Sequence, residues 1–349
     1  MYYPFEVQVT PLTNVRRERI LPVAGEILVR VGEHVEPIQV VARANLPGEF
    51  HILPVARLLG VSAARSERCL QVKLGDEVRQ GQVIAARGRH RVRSPINGVL
   101  TASGAGRVLI EAQPTVFELR AYLYGTVTNV LRSNGVVVET TGAVVQGTYG
   151  TGGENFGVLR SLVTNPDKPL RAKDIDPSCH GTIIIGGSGL DDAALERAQE
   201  LQVRGIVVGG FSPGLIPKAN RLPFPIIATE GIGEVPMSEP IFRLLTTHEG
   251  REASISGEVR TRWGIVRPEI VIPLPAETVP PTASPGSTPL AAGALVRLVR
   301  APYAGQVGVV HAVPPHARRI ETGARVHGAE VKLGQETVFV PLTNLEALR

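Results

Sequence analysis

The chain is expected to be a multidomain, β-rich protein that carries one α/β layer. Three observations predict this. Glycine (38) and proline (28) are frequent among 349 residues, which implies many turns and short elements. Valine-rich runs with alternating apolar positions dominate the first 140 residues, the period of a half-buried strand. Beyond about residue 150, apolar runs ending in glycine alternate with helical periodicity, the pattern of parallel strands joined by helices. The length suits two or three domains, and 43% hydrophobic residues supply real cores and exclude wholesale disorder. The expected division is a β domain over 1–145, a small α/β domain over 146–272, a tether over 273–289 and a small β-barrel over 290–349.

The N-terminal third contains an internal repeat. VRVGEHVEPIQVVARA begins at Val29 and VKLGDEVRQGQVIAAR at Val72, an offset of 43 residues that aligns Gly32 with Gly75, Glu33 with Asp76, Val35 with Val78, Gln39 with Gln82 and Ala42 with Ala85. Each copy reads as a strand, a Gly-acid turn and a second strand, with glycine supplying the positive φ of the turn. After the second copy, Pro95 and Asn97-Gly98 in SPINGVL mark a tight turn before GRVLIEAQ. Between the copies, Val55, Leu58 and Leu59 in ILPVARLLGVSAARSERCL fall at helical spacing, as in a helix packed on the barrel.

These motifs resemble the biotinyl/lipoyl-type barrel-sandwich hybrid, in the form found in RnfC-like proteins, over roughly residues 20–140. The resemblance implies that the two copies are halves of one barrel related by a pseudo-twofold axis. Carrier domains bear a modifiable lysine on the hairpin between their half-motifs. Here that stretch reads AARGRHRVRSP and contains no lysine. No biotin or lipoate attachment is therefore expected, and no other cofactor is indicated.

In the α/β region, GTIIIGGSG, GIVVGGFSPG and FPIIATEGIGE read as buried strands. DDAALERAQELQV reads as a helix with Ala194, Leu195, Ala198 and Leu201 on one face and Ser188 or Asp191 as its cap, and SEPIFRLLTTHEG as a second helix capped by Ser238. Strand–helix–strand at this spacing implies a small Rossmann-like parallel layer with right-handed crossovers. Ligands bind open α/β sheets at the carboxyl ends of the strands. That edge would carry Gly186, Gly187 and Ser188, then Gly209, Gly210 and Ser212, then Thr229 and Glu230. Two readings stand: backbone N–H groups that hold a ligand, or tight turns between buried strands. Asp191 and Asp192 at the helix start oppose phosphate, and no GxGxxG occurs.

Residues 273–289, PLPAETVPPTASPGSTP, lack apolar periodicity and read as an extended tether. The module after it, GALVRLVRAPYAGQVGVVHAV through VPLTNLEAL, resembles the KOW motif of NusG-type factors and some ribosomal proteins. Gly293, Val296, Gly305, Gly308 and Val310 match, and Ala301-Pro302 stands where Gly-Pro is usual.

Catalytic signatures are missing. HExxH, GxxxxGK[ST] and GxSxG do not occur, so no catalytic residue is assigned. Cys179 and His180 are adjacent, which on a strand would point them to opposite faces. His311, His316 and His327 have no partner at ligand spacing, so no metal is expected. Only two cysteines, Cys69 and Cys179, occur and form no CxxC, which excludes a zinc ribbon, a disulfide scaffold or an iron–sulfur cluster held by this chain alone. MYYPFEVQVT lacks the pattern of a signal peptide and no apolar run reaches about 18 residues, so a cytoplasmic protein without membrane contact is expected.

The net charge is +5. Arg87, Arg89, Arg91 and Arg93, with His90, occupy the hairpin where a carrier would bear its lysine. Alternate arginines on a strand share a face that would bind phosphates or an acidic surface; the other reading is a strand edge protected by charge. With the KOW resemblance, this favours a non-enzymatic binding or scaffold protein whose partner is RNA, DNA, a nucleoprotein complex or another protein. The alternative is an enzyme or enzyme-complex subunit with a small-molecule site at the glycine-rich edge.

Overall fold

The structure is a computed structural model and describes residues 5–132, 134–261, 266–275 and 289–348. Strand residues outnumber helical ones, 46% against 14%, in several sheets. Most of the tether, residues 276–288, lies outside the described residues.

The N-terminal repeat proves deeper than its sequence. Both Gly-acid turns have the same bonds: Gly32 N–H donates to Val127 O and Gly75 N–H to Leu100 O, each at 2.8 Å. Arg30 N–H donates to Glu33 Oε2 and Lys73 N–H to Asp76 Oδ2, so each acid closes its own turn. The following strands match too. Val40–Leu46 pairs with Thr115–Arg120 as Val83–Arg87 pairs with His90–Arg93. Gly125–Leu131 pairs with the start of Gly135–Gln146, with a bulge between Val127 and Asn129. Gly98–Gly104 pairs with Arg107–Ala112, with its bulge between Leu100 and Ala102. Even the flanking strands agree: residues 16–20 run against 135–139 as Phe50–Leu53 runs against 108–111.

Two complete copies of one module are therefore present, and one is nested in the other. The inner module occupies residues 50–112. The outer one is built from residues 16–46 and 115–139, and the inner module is inserted at the hairpin that corresponds to its own Arg87–His90 turn. This corrects the expectation of two half-motifs in one barrel. Val35 packs in a cluster with Leu123, Val127 and Val138, and Val78 in another with Ile84, Leu100 and Ile110. Physically, each Gly-acid strand closes on the strand that follows its own hairpin, and the first hairpin is 68 residues long because it contains a domain (47–114). The helix expected between the repeats is split into Val55–Leu59 and Ala63–Glu67, interrupted at Gly60 in the left-handed region.

The strand Gly135–Gln146 carries the chain into the α/β layer. Its first half belongs to the outer module, and its second half pairs with Glu269–Pro273, which pairs in turn with Glu252–Ser256. One sheet thus runs through the expected boundary at 145. Beyond Glu252–Ser256 come four neighbouring parallel strands, Glu154–Ser161, Thr182–Ile185, Gly205–Phe211 and Ile226–Ile232. Helix Asp192–Glu200 packs Ala194, Leu195 and Ala198 on one face of the sheet against Ile184, Ile206 and Val208. Helix Glu239–Thr247 packs Ile241 and Leu245 on the other face against Ile183, Ile185 and Val207. Of the two caps considered for the first helix, Asp191 serves, its Oδ1 accepting from Ala194 N–H at 2.8 Å.

The C-terminal unit is a six-stranded sheet around Val296, Val310, Val331 and Leu345. It is not made of residues 290–349 alone. The chain's first strand, Phe5–Val7, joins it in parallel with Leu345–Leu348. Sequence reading missed this because a three-residue strand has no detectable period.

The two-core arrangement predicts additivity. Gly32 and Gly75 both have φ of +89°, and a Cβ at either meets nothing within 4 Å, so alanine costs backbone strain only. Gly32→Ala and Gly75→Ala should each destabilise by about 1–2 kcal/mol. The double variant should equal their sum within about 0.5 kcal/mol by urea denaturation, since the sites share no core. Strong coupling between them would place both turns in one barrel.

Candidate functional site

The arginine hairpin lies at the tip of the inner module. Val92 is buried between exposed Arg91 and Arg93, as strand alternation requires. Two of the four arginines are tied to backbone. Arg87 Nη1 donates to Gly60 O at 2.9 Å, at the C-terminus of helix Val55–Leu59, and Arg93 Nη1 donates to Gly81 O at 2.7 Å. Arg89, in the turn, and Arg91 are exposed and have no hydrogen-bond or ionic partner among the described residues.

The whole module shares this character. Residues 50–112 hold ten basic and four acidic side chains, a net of +6 against +5 for the entire chain. The rest of the protein therefore nets −1. Arg57, Arg65, Arg68, Lys73, Arg79 and Arg107 are all exposed. Among the described residues no lysine or arginine side chain of the inner module forms a salt bridge. In the outer module four of seven arginines are ion-paired among the described residues, Arg16 with Glu18 and Glu139, Arg17 with Glu269, Arg19 with Glu154, and Arg43 with Glu118, while Arg30, Arg120 and Arg132 are exposed without a salt bridge. The two copies thus differ in charge, a net of +6 for residues 50–112 against +1 for residues 16–46 and 115–139, which hold seven basic and six acidic side chains.

The carboxyl edge of the parallel sheet is built differently. Gly209 N–H donates to Gly187 O at 2.6 Å and Gly210 N–H to Ser188 O at 3.3 Å, so these predicted positions do meet. They are covered from outside. A Cβ at Gly187 would lie 2.2 Å from Lys168 O, and one at Gly209 would lie 2.1 Å from Val235 O. The glycines let two loops close over the strand ends. Gly186 is buried with them, Ser188 is 4% exposed, and Ser212 alone faces solvent.

Thr229 and Glu230 meet a residue that sequence reading did not single out. Arg297, on strand Leu295–Leu298 of the C-terminal unit, is 1% exposed. Its Nη1 donates to Glu230 Oε2 at 2.9 Å and to Thr229 O at 2.7 Å. Its Nη2 donates to Glu346 Oε2 at 2.6 Å and Thr148 Oγ1 at 3.1 Å. Glu230 Oε1 accepts from Ser238 N–H at 3.0 Å, where a cap by the Ser238 side chain was expected. Burial works against the charge on Arg297, but Glu230 and Glu346 outweigh it and hold its pKa above the usual arginine value. Only the spatial neighbourhood of Glu230 reveals this arginine; in sequence it is one of many.

Tyr122 marks a further polar pocket of about 340 Å³. Its ring is buried, its φ is +69°, and its hydroxyl has no partner among the described residues. Arg17 forms a bidentate pair with Glu269 and Arg19 one with Glu154, and the Arg19 guanidinium lies 5.3 Å from the Tyr122 ring centroid. Burial, and then the two carboxylates, push the phenol well above its ordinary pKa and keep it protonated.

Cys179 and His180 point apart. Cys179 is buried beside Asp176, with burial pushing its thiol up, while His180 Nδ1 meets Leu201 O at 3.1 Å. No group of three or more His, Cys, Asp or Glu side chains among the described residues could hold a metal ion. No helix among them is long and apolar enough to cross a membrane. Neither a protein-family model nor a curated protein matches the chain.

Removing Arg297 would leave Glu230 buried without a cation and Glu346 with Arg267 alone. Arg297→Met should destabilise the protein by about 3–5 kcal/mol in urea denaturation. Adding Glu230→Gln should restore part of that loss, because less uncompensated charge then remains buried. A single variant within about 0.5 kcal/mol of the parent would contradict the buried network.

Proposed function

We propose that the protein is a non-enzymatic binding or scaffold protein whose inner module holds a polyanion, nucleic acid or a nucleoprotein surface, through its arginine hairpin. The observation that carries this reading is the net charge of +6 on a 63-residue insertion whose ten lysine and arginine side chains form no salt bridge among the described residues, beside a copy of the same module with a net of +1 and four ion-paired arginines. Unpaired cations gathered on one module produce a local field that attracts phosphates and gains from counterion release. In the same reading the two modules are RnfC-like barrel-sandwich hybrids without the carrier lysine, the parallel layer is Rossmann-like, and the C-terminal unit is a KOW-like barrel. The matched turns, bulges and strand pairings of the two modules support the first of these assignments. The alternative, a small-molecule site at the glycine-rich edge, has less support because Glu230 is bound to Arg297 and loops cover the glycines.

The test is a salt titration of binding to labelled single- and double-stranded oligonucleotides. Affinity should fall steeply with salt, and Arg89→Ala/Arg91→Ala/Arg93→Ala should reduce the log–log slope by about 2–3, at roughly 0.7–0.9 per phosphate contact. Deleting the C-terminal unit is an unsuitable control, since it would leave Glu230 buried without Arg297. An unchanged slope in the triple variant, or no salt-sensitive binding by the parent, would remove the proposal.

A further inference from the structure

The two modules also differ along one strand edge. In the inner module, Phe50–Leu53 is an edge strand paired only with residues 108–111. Ala112 N–H donates to Glu49 O at 2.9 Å, which makes 49 and 112 a hydrogen-bonded pair. Antiparallel ladders alternate, so residues 51 and 53 turn their main-chain groups inward and Phe50 and Ile52 turn theirs outward. Nothing among the described residues meets those outward groups. The side chains of the same two residues are 59% and 62% exposed.

In the outer module the corresponding positions, set by matching the pairing of 111 with 50 to that of 139 with 16, are Arg16 and Glu18. They form an ion pair at 3.9 Å, and Arg16 also lies 3.7 Å from Glu139. Charged edge strands are how soluble proteins prevent sheet-to-sheet association. One copy keeps that protection, and the other replaces it with an exposed aromatic and an exposed β-branched residue.

We propose that this edge pairs with the same strand of a second copy of the chain, antiparallel about a two-fold axis at His51. The register is self-complementary. Phe50 faces Ile52 of the second copy and Ile52 faces its Phe50, so all four outward main-chain groups of each copy are satisfied. The arrangement makes two aromatic–β-branched cross-strand pairs on the exposed face. It also brings the acidic end of one strand, with exposed Glu49 and nearby Glu111, toward the basic end of the other, with exposed Arg57 and Arg107. The strand is short, so the association is weak and concentration-dependent. Each inner module nets +6, so the two copies repel at long range and salt strengthens the dimer. Salt acts in the opposite direction on polyanion binding, which separates this inference from the proposed function.

The experiment is sedimentation velocity of the full chain from about 10 to about 300 μM, at about 50 and about 500 mM salt, with amide exchange at both ends of the range. The sedimentation coefficient should rise with concentration and rise further at high salt. Exchange at the Phe50 and Ile52 amides should slow in parallel. Ile52→Pro removes one outward N–H without touching the inward ladder, and should leave a monomer with unchanged far-ultraviolet circular dichroism. Phe50→Arg/Ile52→Glu transplants the outer module's charges and should be monomeric as well, which keeps the test valid if proline disturbs folding. A parent that stays monomeric throughout would overturn the proposal. So would a dimer that survives the charge transplant, or edge amides protected only when an unrelated peptide is added.

Discussion

A guanidinium that is 1% exposed must be compensated, and Arg297 obtains its compensation from three parts of the chain at once. Glu230 and the Thr229 carbonyl come from a parallel strand of the α/β layer, Thr148 from the turn before that layer, and Glu346 from the closing strand of the C-terminal unit. Arg267 adds a second cation 3.5 Å from Glu346. The C-terminal unit is therefore seated by a buried ionic network, whatever the tether between them does. The chain's first strand, Phe5–Val7, beside Leu345–Leu348, reinforces the seating. Buried ion pairs are poor sources of net stability but select geometry strongly, because any displaced arrangement leaves a charge without a partner.

That network closes the edge where an open α/β sheet would usually take a ligand. The inner module is inserted at the hairpin of the outer one. The same backbone arrangement stands in two different surroundings. The outer copy merges into the large sheet through Gly135–Gln146, and three of its seven arginines, Arg16, Arg17 and Arg19, pair with Glu139, Glu269 and Glu154. Among the described residues the inner copy shares no sheet with the rest of the chain, its lysines and arginines form no salt bridge, and it exposes an apolar strand edge. Nesting accounts for the difference in sheet pairing: the inner module is joined to the outer one through the two ends of a single hairpin.

Much of the architecture was legible in the sequence. The Gly-acid turns at Gly32 and Gly75 could be read because a positive φ leaves glycine few substitutes. The helices at 192–200 and 239–247 could be read because burial on one face imposes a period of 3.6 residues. The second half of each module could not be read. SPINGVL and AYLYGTV share only Gly98 and Gly125, and for a local reason: a Cβ at either would lie 2.2 Å from a carbonyl oxygen, Glu111 O or Glu139 O. The other positions differ in residue type between the two modules, while the turns, bulges and strand pairings are kept.

The sequence by itself determined the β-rich class, the presence of a repeat, the α/β layer and the arginine hairpin without lysine, because each depends on contacts within a few residues. Tertiary structure alone decided that the repeats belong to two nested cores, that the first strand completes the last unit, and that Glu230 is bound by Arg297, 67 residues away. It alone decided which arginines are neutralised. Charge pairing and strand closure are set by distance in space, and a sequence read by local period and propensity carries no record of which distant side chain will arrive.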